Sequence, residues 1–313
     1  MKPMKNRLVL TAMAIACAAC SELLPSPSGD GDCPNNCSEK VMIIGCDNRV
    51  TKPETVDGTT TEPWSFVGKF HSIGCTGTLI ADRYVLTAAH CVVDVGRAPL
   101  GFALAQTAEH VSQRPFGTHG ARRVFIPKPY GNTDDEATKA YDYAIVELWE
   151  PIEGATPAHW GHVDWSILRT KPVFTTGYPG TQPDSGVIGR PWTSGDSGGK
   201  YHTQQPFQSL DDDEAGLLYT DLDGVGGQSG SPVYSFLIPA QHEGVGIVRK
   251  VSGVLVGSPV DACLRDQMWV AYLKPKTEKR IHEAMNYSGG AHPFWDIINL
   301  PESATSGQGE PWP

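Results

Sequence analysis

Beyond residue 20 the chain has no apolar run long enough to cross a bilayer and no internal repeat, which sets aside membrane-spanning and repeat architectures. Charge is sparse. Only 19% of the 313 residues are charged against 40% hydrophobic, so a large packed core is available and disorder over most of the chain is excluded. Basic residues are the minority, 25 against 35 acidic, and the net charge of −10 argues against nucleic acid as a partner. Metal-ligand patterns are missing too. Cys33-x-x-x-Cys37 has neither a second such pair nor a nearby His to complete four ligands. The acidic stretch Asp211-Asp212-Asp213-Glu214 reads as a solvated loop before it reads as a calcium site.

The first twenty residues carry an export signal. Lys2, Lys5 and Arg7 precede the apolar run Leu8 to Ala19, too short for a membrane span but the right length for a secretory leader, so residues 1–20 are excluded from the fold. The run ends Cys17-Ala18-Ala19-Cys20-Ser21, which resembles a bacterial lipoprotein processing site. Acylation at Cys20 would tether the protein to a membrane surface, whereas ordinary signal cleavage nearby would discard both cysteines. Both readings stay open, and either gives an exported protein, secreted or anchored at the bacterial cell surface.

Six cysteines remain after the leader, an even number that suggests disulfides in an exported chain. Cys75 and Cys91 bracket a strand and a loop, and closing a loop of that size stabilises by about 3 kcal/mol on the chain-entropy view. Cys33, Cys37, Cys46 and Cys263 have three alternative pairings, which stay open.

Residues 21–40, rich in Pro, Ser, Gly and acid, read as a linker or pro-segment. From Val41 onward short apolar or alternating runs are separated by Gly, Pro and Asp, which predicts an all-β sandwich or barrel. The runs include Ser65 to Phe70, Gly77 to Leu86, Val124 to Ile126, Tyr143 to Leu148, Val173 to Gly177, Val233 to Ile238, Val251 to Val256 and Met268 to Leu273. One helix is expected, over Thr277 to Met285, with Ile281, Ala284 and Met285 on one face. The folded domain is expected over 41–289, with 290–313 as an extension that either packs back or stays disordered.

Three segments carry the chemistry. Gly227-Gln228-Ser229-Gly230-Ser231-Pro232 sets a serine among small residues ahead of an apolar strand, after Leu86-Thr87-Ala88-Ala89-His90-Cys91 and Tyr141-Asp142-Tyr143-Ala144. The order His, Asp, Ser with spacings of 52 and 87 residues predicts a serine-protease triad. His90 would be the general base, Asp142 would orient its ring and Ser229 would be the nucleophile. The backbone N–H groups of Gly227 and Ser229 would form the oxyanion hole, where a side chain at 227 would obstruct the approach. Such chemistry requires no metal or organic cofactor.

Several motifs in order resemble those of chymotrypsin-like serine proteases, nearest to the bacterial branch that includes glutamyl endopeptidases. They are Ile43 to Arg49, Cys75-Thr76-Gly77-Thr78-Leu79-Ile80, Leu86 to Cys91, Asp142 to Leu148, Thr176-Gly177-Tyr178-Pro179-Gly180 and Gly226 to Val233. The resemblance covers about residues 41 to 288. It implies two six-stranded antiparallel β-barrels with the site in the cleft between them, a short C-terminal helix, and protein or peptide substrates. Ser197, in Ser194-Gly195-Asp196-Ser197-Gly198-Gly199, matches the trypsin-type nucleophile motif more closely than Ser229. It is rejected because polar residues follow it where the family has an apolar strand, and because too few residues separate it from Asp142. Gln228 stands where trypsin-type motifs have Asp, so activation through an ion pair with a new N-terminus is not expected.

Asp223 lies six residues before Ser229, the offset at which trypsin-like enzymes place the carboxylate of the primary specificity pocket. A buried carboxylate there would select Arg or Lys, and Gly257 would leave the mouth of the pocket open to a long side chain. Glutamate preference is the alternative. It loses support because Gly224 and Leu255 stand where Glu-specific members have a small hydroxyl residue and a His. A catalytically silent, surface-anchored binding protein on the same scaffold is the alternative outside catalysis, and esterase activity a further one.

Overall fold

Runs of β-branched and aromatic residues closed by Gly, Asp or Pro become strands throughout the chain. The structure, a computed structural model, describes residues 36–38, 41–43, 49–51, 55–96, 98–107, 113–131, 136–180, 192–195, 215–220, 222–237, 248–257 and 268–301. All of them belong to the unit Cys33–Pro313. Residues 1–20, read as a leader in the sequence, the acidic stretch 211–214, Ser197 and the cysteines 33, 46 and 263 lie outside the described residues, as does the side chain of Cys37.

Near the start are β1 (Asn36–Ser38), β2 (Val41–Ile43) and β3 (Val50–Thr51). Six strands follow: β4 (Val67–Phe70), β5 (Cys75–Ala81), β6 (Tyr84–Thr87), β7 (Gly101–Leu104), β8 (His119–Pro127) and β9 (Ala144–Leu148). They pair antiparallel in the ring β4-β5-β6-β9-β8-β7 and back to β4, a closed six-stranded barrel in which each strand has a neighbour on both sides. Leu79, Val85, Phe102, Leu104, Val124 and Ile145 are among the side chains that fill it. Each such burial contributes about 1.5–3 kcal/mol. The run Gly77 to Leu86, read as a single stretch in the sequence, folds as the hairpin β5–β6 because Asp82 and Arg83 make its turn.

The second half supplies β10 (His159–Trp160), β11 (Phe174–Gly177), β12 (Trp192–Gly195), β13 (Gly216–Thr220), β14 (Gly224–Val225), β15 (Pro232–Leu237), β16 (Val248–Gly257) and β17 (Met268–Tyr272). Six of them run antiparallel in the order β12-β11-β15-β16-β17-β13, in an eight-stranded sheet completed by β3 on β12 and by β10 parallel to β16, over a core that includes Val173, Leu218, Val233, Leu255 and Val270. The β1–β2 hairpin lays β2 along β14, with Val41 opposite Val225 and Met42 opposite Gly224. Among the described residues, pairing is already present at Asn36, ahead of the expected domain start at Val41.

The expected helix runs from Pro275 to Met285, starting earlier because proline is favoured in a first helical turn, and it buries Thr277, Ile281 and Ala284. Of the two alternatives for the extension beyond 289, the described residues take the packed one. Trp295–Asn299 makes β18, antiparallel to β8 from Trp295 opposite Pro127 to Asn299 opposite Arg123.

Candidate active site

The register of β6 and β9 brings His90 and Asp142 together. Thr87 pairs with Ala144 at the end of an antiparallel ladder, so the chain leaving β6 runs beside the chain entering β9. His90 lies three residues beyond Thr87, in the helical turn Ala89–Val92, and Asp142 two residues before Ala144. Asp142 Oδ2 is 2.9 Å from His90 Nδ1, and Oδ1 accepts the backbone N–H of His90 at 2.9 Å. The Asp142 side chain is 0% exposed and that of His90 27%, so the carboxylate is sealed while the imidazole still meets solvent.

A sealed carboxylate is costly unless donors surround it. Besides the two from His90, the Lys139 ammonium lies 3.6 Å from Oδ2. Lys139 ends the short helix Glu136–Lys139, and the Asp142 N–H donates to its carbonyl at 3.1 Å. Lys139 belongs to no catalytic motif, and its spacing of three residues from Asp142 is the one signal the sequence offers for this contact.

The disulfide Cys75–Cys91 forms as expected and fixes the residue after His90 to the start of β5. Donor atoms of Cys75, His90 and Cys91 lie within 4.8 Å of one another, but both sulfurs are consumed in the disulfide, so this cluster does not fit a metal.

Ser229 occupies the turn between β14 and β15. Its carbonyl accepts the N–H of Thr76, and the Thr76 hydroxyl donates to Gly227 O, both at 2.9 Å. The same hydroxyl accepts the N–H of Tyr178 at 2.9 Å, so Thr76 joins β5 to two segments of the second sheet. Gly226 O accepts the N–H of Gly180 at 2.6 Å. In a planar trans peptide N–H and C=O point in opposite directions, so the N–H of Gly227 is turned away from Gly180.

Two glycines make the turn feasible. Gly227 has φ +97°, and a Cβ there would lie 2.2 Å from Gly180 N. Gly230 has φ +86°, and a Cβ there would lie 2.1 Å from Thr76 O and 3.1 Å from Ala88 N. The serine turn is thus seated directly on the residues that lead to His90. Buried Gln228 closes the turn from within, its Oε1 accepting the N–H of Val225 at 2.9 Å. An uncharged side chain here satisfies a backbone donor in its own turn.

The two residues expected to shape a specificity pocket differ in character. Asp223 is fully buried immediately before β14. Gly257 ends β16 with φ +131° and open space where a Cβ would stand. A Cβ at neighbouring Gly224 would meet Met268 Cε at 2.6 Å and Leu255 Cδ2 at 3.7 Å, both apolar.

A closed six-stranded barrel, a second sheet built on six antiparallel strands of the second half, and a His–carboxylate pair beside a pinned serine turn together have the architecture of a two-barrel serine peptidase. Residues 75–236 match the trypsin-like peptidase domain family, and the chain belongs to it, near the glutamyl-endopeptidase branch. A glutamyl endopeptidase of Bacillus licheniformis is 33% identical over 198 residues, which is 61% of this chain and 54% of that protein. Human serine protease 23 is 29% identical over 212 residues, 59% of this chain and 49% of that protein. The chain thus spans about half the length of these relatives. A solved Glu endopeptidase in complex with MPD superposes with a TM-score of 0.59 at 19% identity, over 79% of this chain and all of that one, a likeness of fold.

Proposed function

We propose that the protein is an exported serine endopeptidase acting through His90, Asp142 and Ser229. The observation that carries this reading is the pairing of a solvent-reachable imidazole with a sealed carboxylate at 2.9 Å. Asp142 keeps the Nδ1 proton on the ring, which leaves Nε2 free to act as base. Ser229 Oγ attacks the peptide carbonyl carbon, its proton passes to His90 Nε2, and the carbonyl π electrons move onto oxygen. The N–H groups of Gly227 and Ser229 stabilise that oxyanion, each such donor being worth about 2.7–4 kcal/mol. Collapse expels the amine, which takes the proton from His90, and leaves an acyl-enzyme. Water repeats the sequence with the same base and releases the acid.

For the primary pocket the favoured reading is Arg or Lys, with buried Asp223 as its anionic floor and Gly257 at its mouth. The named activity of the Bacillus licheniformis relative favours a second reading, selection of Glu. The apolar Met268 and Leu255 beside Gly224 offer a Glu side chain no hydroxyl or imidazole there. Peptide substrates ending in Arg, Lys or Glu, cleaved by wild type and by Asp223→Ser, separate the two. Loss of Arg and Lys cleavage in the variant supports the first reading, and wild-type cleavage after Glu alone supports the second. A silent binding protein is disfavoured because no member of the triad is missing. The leader and the disulfide support export, and comparing detergent partition of wild type and Cys20→Ala tests the lipid tether.

A further inference from the structure

The two residues that flank Asp142 are both tyrosines, packed against the first residue of the C-terminal strand and the residue just before it. Tyr141 meets Phe294 with ring centroids 6.4 Å apart, and Tyr143 meets Trp295 edge-on at 5.9 Å. Phe294 and Trp295 also meet each other edge-on at 5.0 Å. The four rings therefore grip the backbone on either side of Asp142. All four are buried, with Trp295 at 1% and Tyr143 at 0% exposure.

The gripping pair is itself anchored from three directions. Trp295 Nε1 donates to the Arg280 carbonyl of the C-terminal helix at 3.2 Å, and the Arg280 guanidinium lies 4.7 Å over the Phe294 ring. Phe294 O accepts the N–H of Lys128 at 2.9 Å, next to β8. His292 Nδ1 accepts the N–H groups of both Phe294 and Trp295, at 3.1 and 3.2 Å. Sheet pairing alone does not require such aromatic density at one end of a five-residue strand.

We propose that Phe294 and Trp295, at the entry to the C-terminal strand, are positioning residues for Asp142. This rests on the serine-peptidase reading above. The pair acts by holding the carboxylate in line with His90 Nδ1, where a displacement of about 1 Å can lower turnover by about 100-fold. It touches neither substrate nor the reacting atoms.

The test compares Trp295→Ala, Trp295→Phe and the control Ile298→Ala on the same strand in the full chain. Each is followed by thermal unfolding, by kcat and KM on a peptide amide, and by the downfield proton NMR signal of His90 Nδ1–H. Trp295→Ala is expected to lower kcat about 10- to 100-fold with KM nearly unchanged, and to broaden or remove the downfield signal in folded protein. Trp295→Phe restores most of both, and Ile298→Ala loses stability but keeps kcat and the signal. A folded Trp295→Ala with wild-type kcat and signal overturns the proposal, as does an equal kcat loss in Ile298→Ala. If wild type cleaves no peptide, the peptidase reading fails. The NMR comparison then still decides the clamp.

Discussion

Asp142 gives both of its carboxylate oxygens to one residue: Oδ1 accepts the backbone N–H of His90 and Oδ2 pairs with its ring Nδ1, each at 2.9 Å. The first bond fixes where the histidine backbone stands and the second fixes the tautomer of its ring. Asp142→Asn would keep the shape but place the opposite tautomer on the ring. We expect kcat on a peptide amide to fall about 10⁴-fold with the circular dichroism spectrum unchanged. A loss of only a few-fold would remove Asp142 from the triad.

Gly227 offers an independent check on the proposed oxyanion site. Alanine there meets Gly180 N at 2.2 Å and disfavours φ +97°, so the peptide must rotate and withdraw its N–H. Gly227→Ala is expected to lower kcat about 10²- to 10³-fold with little change in KM. Thr76→Val, which deletes the hydroxyl that pins Gly227 O, should show a smaller loss of the same kind, reversed by Thr76→Ser.

Stability should depend on pH through His71. Burial, reinforced by Arg114 and Lys69, lowers its pKa from 6.5 to about 4. Between those values the unfolded imidazole holds more proton than the folded one, so stability rises with pH in that window. The contribution is complete above about pH 6.5 and is lost as pH falls through about 4. Thermal melts at pH 7 and pH 4.5 should therefore differ more for wild type than for His71→Gln, and equal differences would contradict the assignment.

The Cys75–Cys91 bond closes a loop with a sequence separation of 16. Replacing both cysteines by alanine should cost about 3 kcal/mol, read from denaturant midpoints at unchanged slope. An unchanged midpoint would mean that the disulfide does not hold the His90 turn.

Most of the barrel and the pairing of His90 with Asp142 were legible because their signals are local. The alternating runs became β8, β9, β11 and β15 to β17, and the bracketing cysteines joined. What escaped depends on partners distant in sequence. Nothing near Thr76 announces that its hydroxyl reaches a carbonyl 151 residues away. Trp295 lay within the extension 290–313 with no role assigned, because β18 is defined by the strand it pairs with and by the tyrosines beside Asp142. Likewise β7, Gly101–Leu104, is short and lies between loops, and its ring closure with β4 and β8 gives it its place.

The central claim, that Ser229 is a nucleophile activated by His90, is tested most directly by mapping the residue labelled by a fluorophosphonate on folded protein. Labelling confined to Ser229, and lost in His90→Ala, is the expected result. Labelling at Ser197, or a folded wild-type protein that takes no label after removal of residues 1–40, would contradict it.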